Sequence, residues 1–378
     1  MDFNIPVNIR TVLDILHKNG FEAYIVGGCV RDVLMEKVPH DYDICTSAKP
    51  EQIRECFDGF TTIETGIKFG TVVVVSGGEN VEVTTYRIDG EYADGRHPES
   101  VTFTPCLRED LARRDFTVNA LCYSEEDGVI DFFGGRKDIE EKQIVAVGEA
   151  EKRFEEDALR IMRALRFASV LGFAIEKSTD AAIRKLFSSI ENVSKERIQV
   201  ELRKLIMGND ADRILISYSR ELEENIPGMV PSEISTMPEN AAYRLGVLFP
   251  ENTGTYLKKL KFDNKTISLA KNAADIRGKD FPEKEADILH LLNVYGKEVV
   301  MLFAEEKKML NRLIAVLEKD PCYSIKQLAV TGSDLMNSGV KAGPEVGRVL
   351  NEVLFMVMEG KLGNTEEDIL EYVKGSRK

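Results

Sequence analysis

Apolar residues follow two different rhythms along this chain, and the change from one to the other divides it. Residues 11–18 carry a helical pattern that Gly20 closes. A compact apolar run at 21–26 stops at Gly27-Gly28, a helical stretch covers 30–35, and 42–45 reads as a short strand. TVVVVS (Thr71–Ser76) and VEVTTY (81–86) are β-branched runs flanking the turn Gly77-Gly78-Glu79-Asn80, which predicts a hairpin. Residues 89–99 are rich in glycine and acidic groups and predict a mobile loop. From about Glu149 the period lengthens. Ala158, Ile161, Met162, Leu165, Ala168 and Ser169 fall at i, i+3, i+4 spacing, the pattern of an amphipathic helix. Helical patterns then continue to the end, punctuated by Pro227, Pro231, Pro250, Pro282, Pro321 and Pro344. The expected fold class is α+β, a mixed α/β head followed by an all-helical remainder.

Composition narrows this picture. With 378 residues, the chain is long enough for two to four compact units, and 43% apolar with 30% charged residues excludes disorder. No apolar run reaches the roughly 18 residues that a membrane span requires, and MDFNIPVNIR lacks the basic-then-apolar order of a signal peptide. A cytoplasmic location is expected. Cys29, Cys45, Cys56, Cys106, Cys122 and Cys322 form no C-x-x-C pair, so reduced thiols are expected rather than zinc or disulfides. The net charge of −14 argues against a sequence-independent nucleic-acid coat. Residues 151–205 nevertheless carry 12 basic against 9 acidic groups, a local excess that permits an RNA-facing surface.

Candidate chemistry is concentrated in the head. Gly27-Gly28 between a strand and a helix lets backbone N–H groups approach a phosphate, although such a turn needs glycine for steric reasons alone. Asp41 and Asp43, two apart at a strand, project to one face, where divalent cations relieve their repulsion; an isolated D-x-D equally suits a solvated acidic turn. Glu82 alternates with Val81 and Val83 and therefore faces away from them. If its strand lies beside that of Asp41 and Asp43, three carboxylates converge, as in palm-type nucleotidyltransferases. Arg113-Arg114-Asp115 followed by Asn119 suits a nucleoside triphosphate, with guanidinium on phosphates and Asp or Asn on ribose hydroxyls. Asp131-Phe132-Phe133-Gly134-Gly135 reads as a glycine hinge.

GGCVRD, the Asp41/Asp43 pair, RRDFTVNAL, DFFGG, EDALR (from Glu156) and SKERIQVELRKL (from Ser194) occur in one order over residues 25–205. In that order they resemble the motifs of class II tRNA nucleotidyltransferases (CCA-adding enzymes) and bacterial poly(A) polymerases. The resemblance implies a palm-type nucleotidyltransferase head at 1–148, a helical neck at 149–205, a helical body at 206–310 and a tRNA-binding helical tail at 311–378. It implies template-independent addition of CMP, CMP and AMP to the tRNA 3′ end from CTP and ATP, with two Mg²⁺ held by Asp41 and Asp43. Glu82 would orient or deprotonate the primer 3′-hydroxyl. Gly27, Gly28, Arg31, Arg114, Asp115, Asn119 and Arg163 would bind the nucleotide.

The resemblance further implies that Asp157 and Arg160 select the base, and hydrogen-bond polarity supplies the reason. A carboxylate only accepts and a guanidinium only donates. Cytosine and adenine present an amino donor beside a ring-nitrogen acceptor, whereas uracil and guanine reverse that polarity. Sites of this kind discriminate by about 10⁴–10⁵. At i, i+3 spacing the two residues are expected on one helix face.

Three other readings compete. A poly(A) polymerase commonly ends in a basic tail, whereas EGKLGNTEEDILEYVKGSRK is mostly acidic until its last three residues. CC-only relatives shorten the loop that here spans residues 88–103 at full length, while A-only addition stays open. A non-catalytic RNA-binding relative would have lost a metal carboxylate, and all three are present. His40 and His290 lack the partners that an HD-type phosphohydrolase needs, so no such activity is expected.

Overall fold

The computed structural model describes residues 3–64, 66–90 and 100–376, so the loop expected at 89–99 lies outside the described residues from 91 onward. The chain divides into two compact units, Met1–Pro227 and Gly228–Lys378. The first contains the expected head, the expected neck and the first residues of the expected body.

Helix α1 (Val7–Lys18) leads into β1 (Ala23–Val26), α2 (Gly28–Leu34), β2 (Asp43–Thr46), α3 (Pro50–Cys56), β3 (Thr62–Ile63), β4 (Thr71–Ser76) and β5 (Glu79–Thr85). A two-stranded ribbon, β6 (Arg87–Asp89) with β7 (Val101–Phe103), precedes α4 (Leu107–Ala112), β8 (Leu121–Ser124), β9 (Gly128–Asp131) and α5 (Gly135–Glu140). The main sheet has the order β3-β4-β5-β2-β1-β8-β9. Every pair in it is antiparallel except β2 with β5. The predicted hairpin is therefore β4–β5.

Alternation decides which face each strand buries. Ile44, Val72, Val74, Val81 and Val83 pack with Leu13 and Leu16 of α1 and with Ile53 and Phe57 in one core. On the other face, α4 covers Cys45, Tyr86 and Cys122 through Leu107 and Leu111. Asp43 and Glu82 share that second face but lie beyond this cover and are exposed.

The DFFGG segment is a packed corner rather than a free hinge. Asp131 Oδ1 accepts the N–H groups of Phe133 (3.2 Å), Gly134 (2.8 Å) and Gly135 (3.0 Å), and Oδ2 accepts that of Arg136 (2.9 Å). A Cβ on Gly135 would stand 2.2 Å from the Thr117 carbonyl oxygen, so no side chain fits there.

A short parallel pair, β10 (Gln143–Ile144) with β11 (Ala174–Ile175), brackets α6 (Ala150–Glu156) and α7 (Leu159–Leu171). Helices α8 (Lys177–Leu186) and α9 (Lys195–Leu205) follow. The amphipathic pattern read from Ala158 onward is α7, whose Ile161, Met162, Leu165 and Ala168 are buried. The second unit is helical from Ala241–Leu248 to Glu366–Gly375, around a core that includes Tyr243, Ile288, Val300, Phe303 and Val353. His290 contacts Glu359 at 3.2 Å within that unit. Among the described residues no helix is long and apolar enough to cross a membrane, and all six cysteines are free.

Candidate active site

Asp43 opens β2 and is the register partner of Glu82 on the parallel strand β5. Register partners point the same way, so the two carboxylates stand side by side on the open face. Asp41, in the segment entering β2, is also exposed, and all three line one open groove of about 1350 Å³ with Tyr42, Val73 and Asn80. Partial withdrawal from water, followed by repulsion from Glu82, raises the Asp43 carboxyl above its ordinary value; Asp41 adds to this and Arg114 opposes it. A raised folded-state value costs the native state stability once pH climbs above it, in full at neutral pH.

This is the chemistry of a cation site. Hard carboxylate oxygens are crowded against their own repulsion, and Mg²⁺ needs only one or two of them plus substrate phosphates. Among the described residues no group of three or more His, Cys, Asp or Glu side chains forms a ready metal cage. Asp41 and Asp43 fit the smaller requirement.

Gly27, at φ +88°, ends β1 in a conformation that favours glycine. Arg114 Nη1 stands 3.1 Å from the position a Cβ on Gly27 would take, so glycine also admits the guanidinium. Arg114 is the least committed of the expected nucleotide ligands. Among the described residues its buried Nε has no hydrogen-bond partner, and its one carboxylate within 4 Å is Asp110, 3.7 Å from Nη2.

The other expected ligands are joined in a chain. Arg31 donates through Nε (2.9 Å) and Nη2 (2.7 Å) to Asp32 and through Nη1 (2.6 Å) to Asn119 Oδ1. Asn119 Nδ2 donates to Asp115 Oδ1 (3.2 Å), which also accepts the Phe116 N–H (2.8 Å). Asp115 Oδ2 accepts from Arg163 Nε (2.7 Å) and pairs with its Nη2 (2.5 Å). Arg163 and Arg166 then meet Glu201 of α9, Arg166 at 2.7 Å. Burial would push the Asp115 carboxyl up, but Arg163 and the hydrogen bonds from Asn119 and Phe116 hold it below its ordinary value. The stability it confers is therefore present at neutral pH and is lost as acid titrates it. A ribose hydroxyl could bond Asp115 only by displacing one of these donors.

The structure departs from the sequence reading at Asp157. The expected single helix face is absent, because α6 ends at Glu156 and Asp157 is extended (φ −143°, ψ 100°). Asp157 Oδ1 accepts the Leu159 N–H at 3.0 Å, the local bond by which aspartate starts a helix rather than continuing one. Arg197 of α9 grips its carboxylate, Nη2 to Oδ2 at 2.7 Å and Nη1 to Oδ1 at 3.2 Å. Arg160 is buried and donates through Nη1 to Glu156 Oε2 (2.6 Å) and the Arg153 carbonyl (2.9 Å), and through Nη2 to the Arg113 carbonyl (2.9 Å). Each member of the expected base-reading pair is thus held by a partner that sequence reasoning missed, Arg197 for one and Glu156 for the other. A carboxylate four residues before an arginine was the available signal for Glu156. Arg197 lies in the SKERIQVELRKL motif, which marked the segment but not its pairing with Asp157, 40 residues away.

Comparison with known proteins identifies the family to which this fold belongs. Residues 23–145 match the poly A polymerase head domain, 172–218 a probable RNA and SrmB-binding site of polymerase A, and 242–373 a putative tRNA nucleotidyltransferase domain 2. A CCA-adding enzyme from Leuconostoc citreum is 35% identical, over 97% of this chain and 95% of that protein. Another from Listeria innocua is 39% identical over 95% of each. The crystal structure of the Bacillus stearothermophilus CCA-adding enzyme in complex with CTP superposes with a TM-score of 0.87 at 32% identity, covering 99% of this chain and 98% of that one.

Proposed function

We infer the activity from one premise: the chain belongs to the family of CCA-adding enzymes. It adds CMP, CMP and AMP in turn to the 3′ end of tRNA, using CTP and ATP and no nucleic-acid template. The observation that carries this reading is the register pairing of Asp43 with Glu82 on the open face of the head.

Asp41 and Asp43 would hold Mg²⁺, which when bound neutralises charge on the transferring phosphoryl group. The primer 3′-oxygen forms a bond to the α-phosphorus as the bond to pyrophosphate breaks, and Glu82 takes the hydroxyl proton. Arg114 at the Gly27-Gly28 turn binds the triphosphate. Arg31, Asn119, Asp115 and Arg163 act as the joint between that turn and α7, and Asp157 with Arg160 select the base. Positioning and charge stabilisation supply the rate.

The test offers tRNA ending before the first C, after it and after the second C, with each labelled nucleotide in turn. CMP is expected on the first two and AMP on the third. An enzyme that labels only the third substrate adds A alone, one that extends it by many residues is a poly(A) polymerase, and no label on any refutes the reading.

A further inference from the structure

We propose that Asp110 is a positioning residue for the triphosphate, the buried countercharge that aims Arg114 at the Gly27-Gly28 turn. The inference rests on the nucleotidyl-transfer reading above and deepens it. Asp110 lies in α4 with 0% exposure. Its Oδ1 is fully used, accepting the Arg87 N–H (3.2 Å) and both Nε (3.0 Å) and Nη2 (2.8 Å) of Arg113. Its Oδ2 is equally buried, accepts no hydrogen bond among the described residues, and faces Arg114 Nη2 at 3.7 Å. A buried carboxylate oxygen left unbonded is costly, and a structural role alone would not keep it so.

The two arginines following Asp110 at i+3 and i+4 are treated differently. Arg113 is forked onto the carboxylate and its donors there are consumed. Arg114 is held by charge at longer range, and its Nε, also buried, is unbonded among the described residues. That is the state in which a guanidinium keeps donors for a phosphate. Asp110 thus balances the Arg114 charge before substrate arrives without spending its hydrogen bonds, and Gly27 leaves room for the head group to reach the turn.

The test compares ATP and AMP binding to the full chain, because only ATP carries the β- and γ-phosphates, assigned here to Arg114. Asp110→Asn is expected to weaken ATP by about tenfold and AMP by less than twofold, with base preference unchanged. Arg114→Gln alone produces the same split, and adding Asp110→Asn to it costs little more, since both act through one guanidinium. Equal losses for ATP and AMP, or losses that multiply in the double variant, overturn the proposal. If Asp110→Asn does not fold, Asp110→Glu carries the test: it keeps the charge but displaces Arg114, so an unchanged ATP-to-AMP ratio overturns the proposal. A wild-type chain that adds nothing to tRNA sinks the underlying function, whereas an active wild type with an insensitive Asp110 variant sinks only this inference.

Discussion

Replacing Asp43 by asparagine is expected to lower nucleotide incorporation by at least about a thousandfold. Asp43 is one of the two proposed cation ligands, and the amide keeps its shape while removing the charge. The same change is expected to raise Tm in cation-free buffer by about 1–3 °C. Its physical basis is the elevated Asp43 carboxyl, crowded by Glu82 and Asp41 with only Arg114 opposing. A group whose folded-state value is raised penalises the native state above that value, so the gain is largest at neutral pH and vanishes in acid, where aspartate is protonated in both states. Thermal melts at pH 7 and pH 3.5 alongside a single-turnover assay check both halves. An inactive variant that melts below wild type at pH 7 would mean that Asp43 supports the fold and that its loss says nothing about catalysis.

The second large effect concerns base choice. Asp157→Ala is expected to lower kcat/KM for CTP and ATP by about a hundredfold while leaving UTP and GTP within a few-fold, so selectivity falls by about the same factor. The amino group of cytosine or adenine loses its acceptor, but uracil and guanine never benefited from it. Arg197 then loses its carboxylate, whereas Arg160 keeps Glu156 and two backbone carbonyls and stays in place. Single-turnover rates with the four nucleotides decide the matter. A uniform loss across all four would assign Asp157 to helix starting and neck packing alone.

Much of the head was legible from the chain. The alternation of Val81, Glu82 and Val83 implies that the glutamate faces away from the core, and the parallel pairing of β5 with β2 makes that face the one Asp43 uses. The motif order pointed to the family. What spacing could not distinguish was a continuous helix from two helices meeting at an aspartate cap, since i, i+3 separation is the same in both and only the Leu159 N–H bond to Asp157 separates them. Nor could it tell which charged residues would spend their hydrogen bonds on one another. Arg163 meets Asp115 across 48 residues of sequence and Arg31 meets Asn119 across 88, so those pairings exist only once the first unit has folded. Asp110 was passed over for a related reason: a carboxylate before two arginines looks like an ordinary surface helix pair until its burial is known.

Manganese binding followed by electron paramagnetic resonance, in the presence of CTP, bears most directly on the acidic pair beneath the nucleotide. Wild-type protein is expected to bind Mn²⁺ at the head, and the Asp41→Asn/Asp43→Asn double variant, still folded by thermal melt, to lose that binding. Undiminished Mn²⁺ binding by the folded double variant would contradict the account.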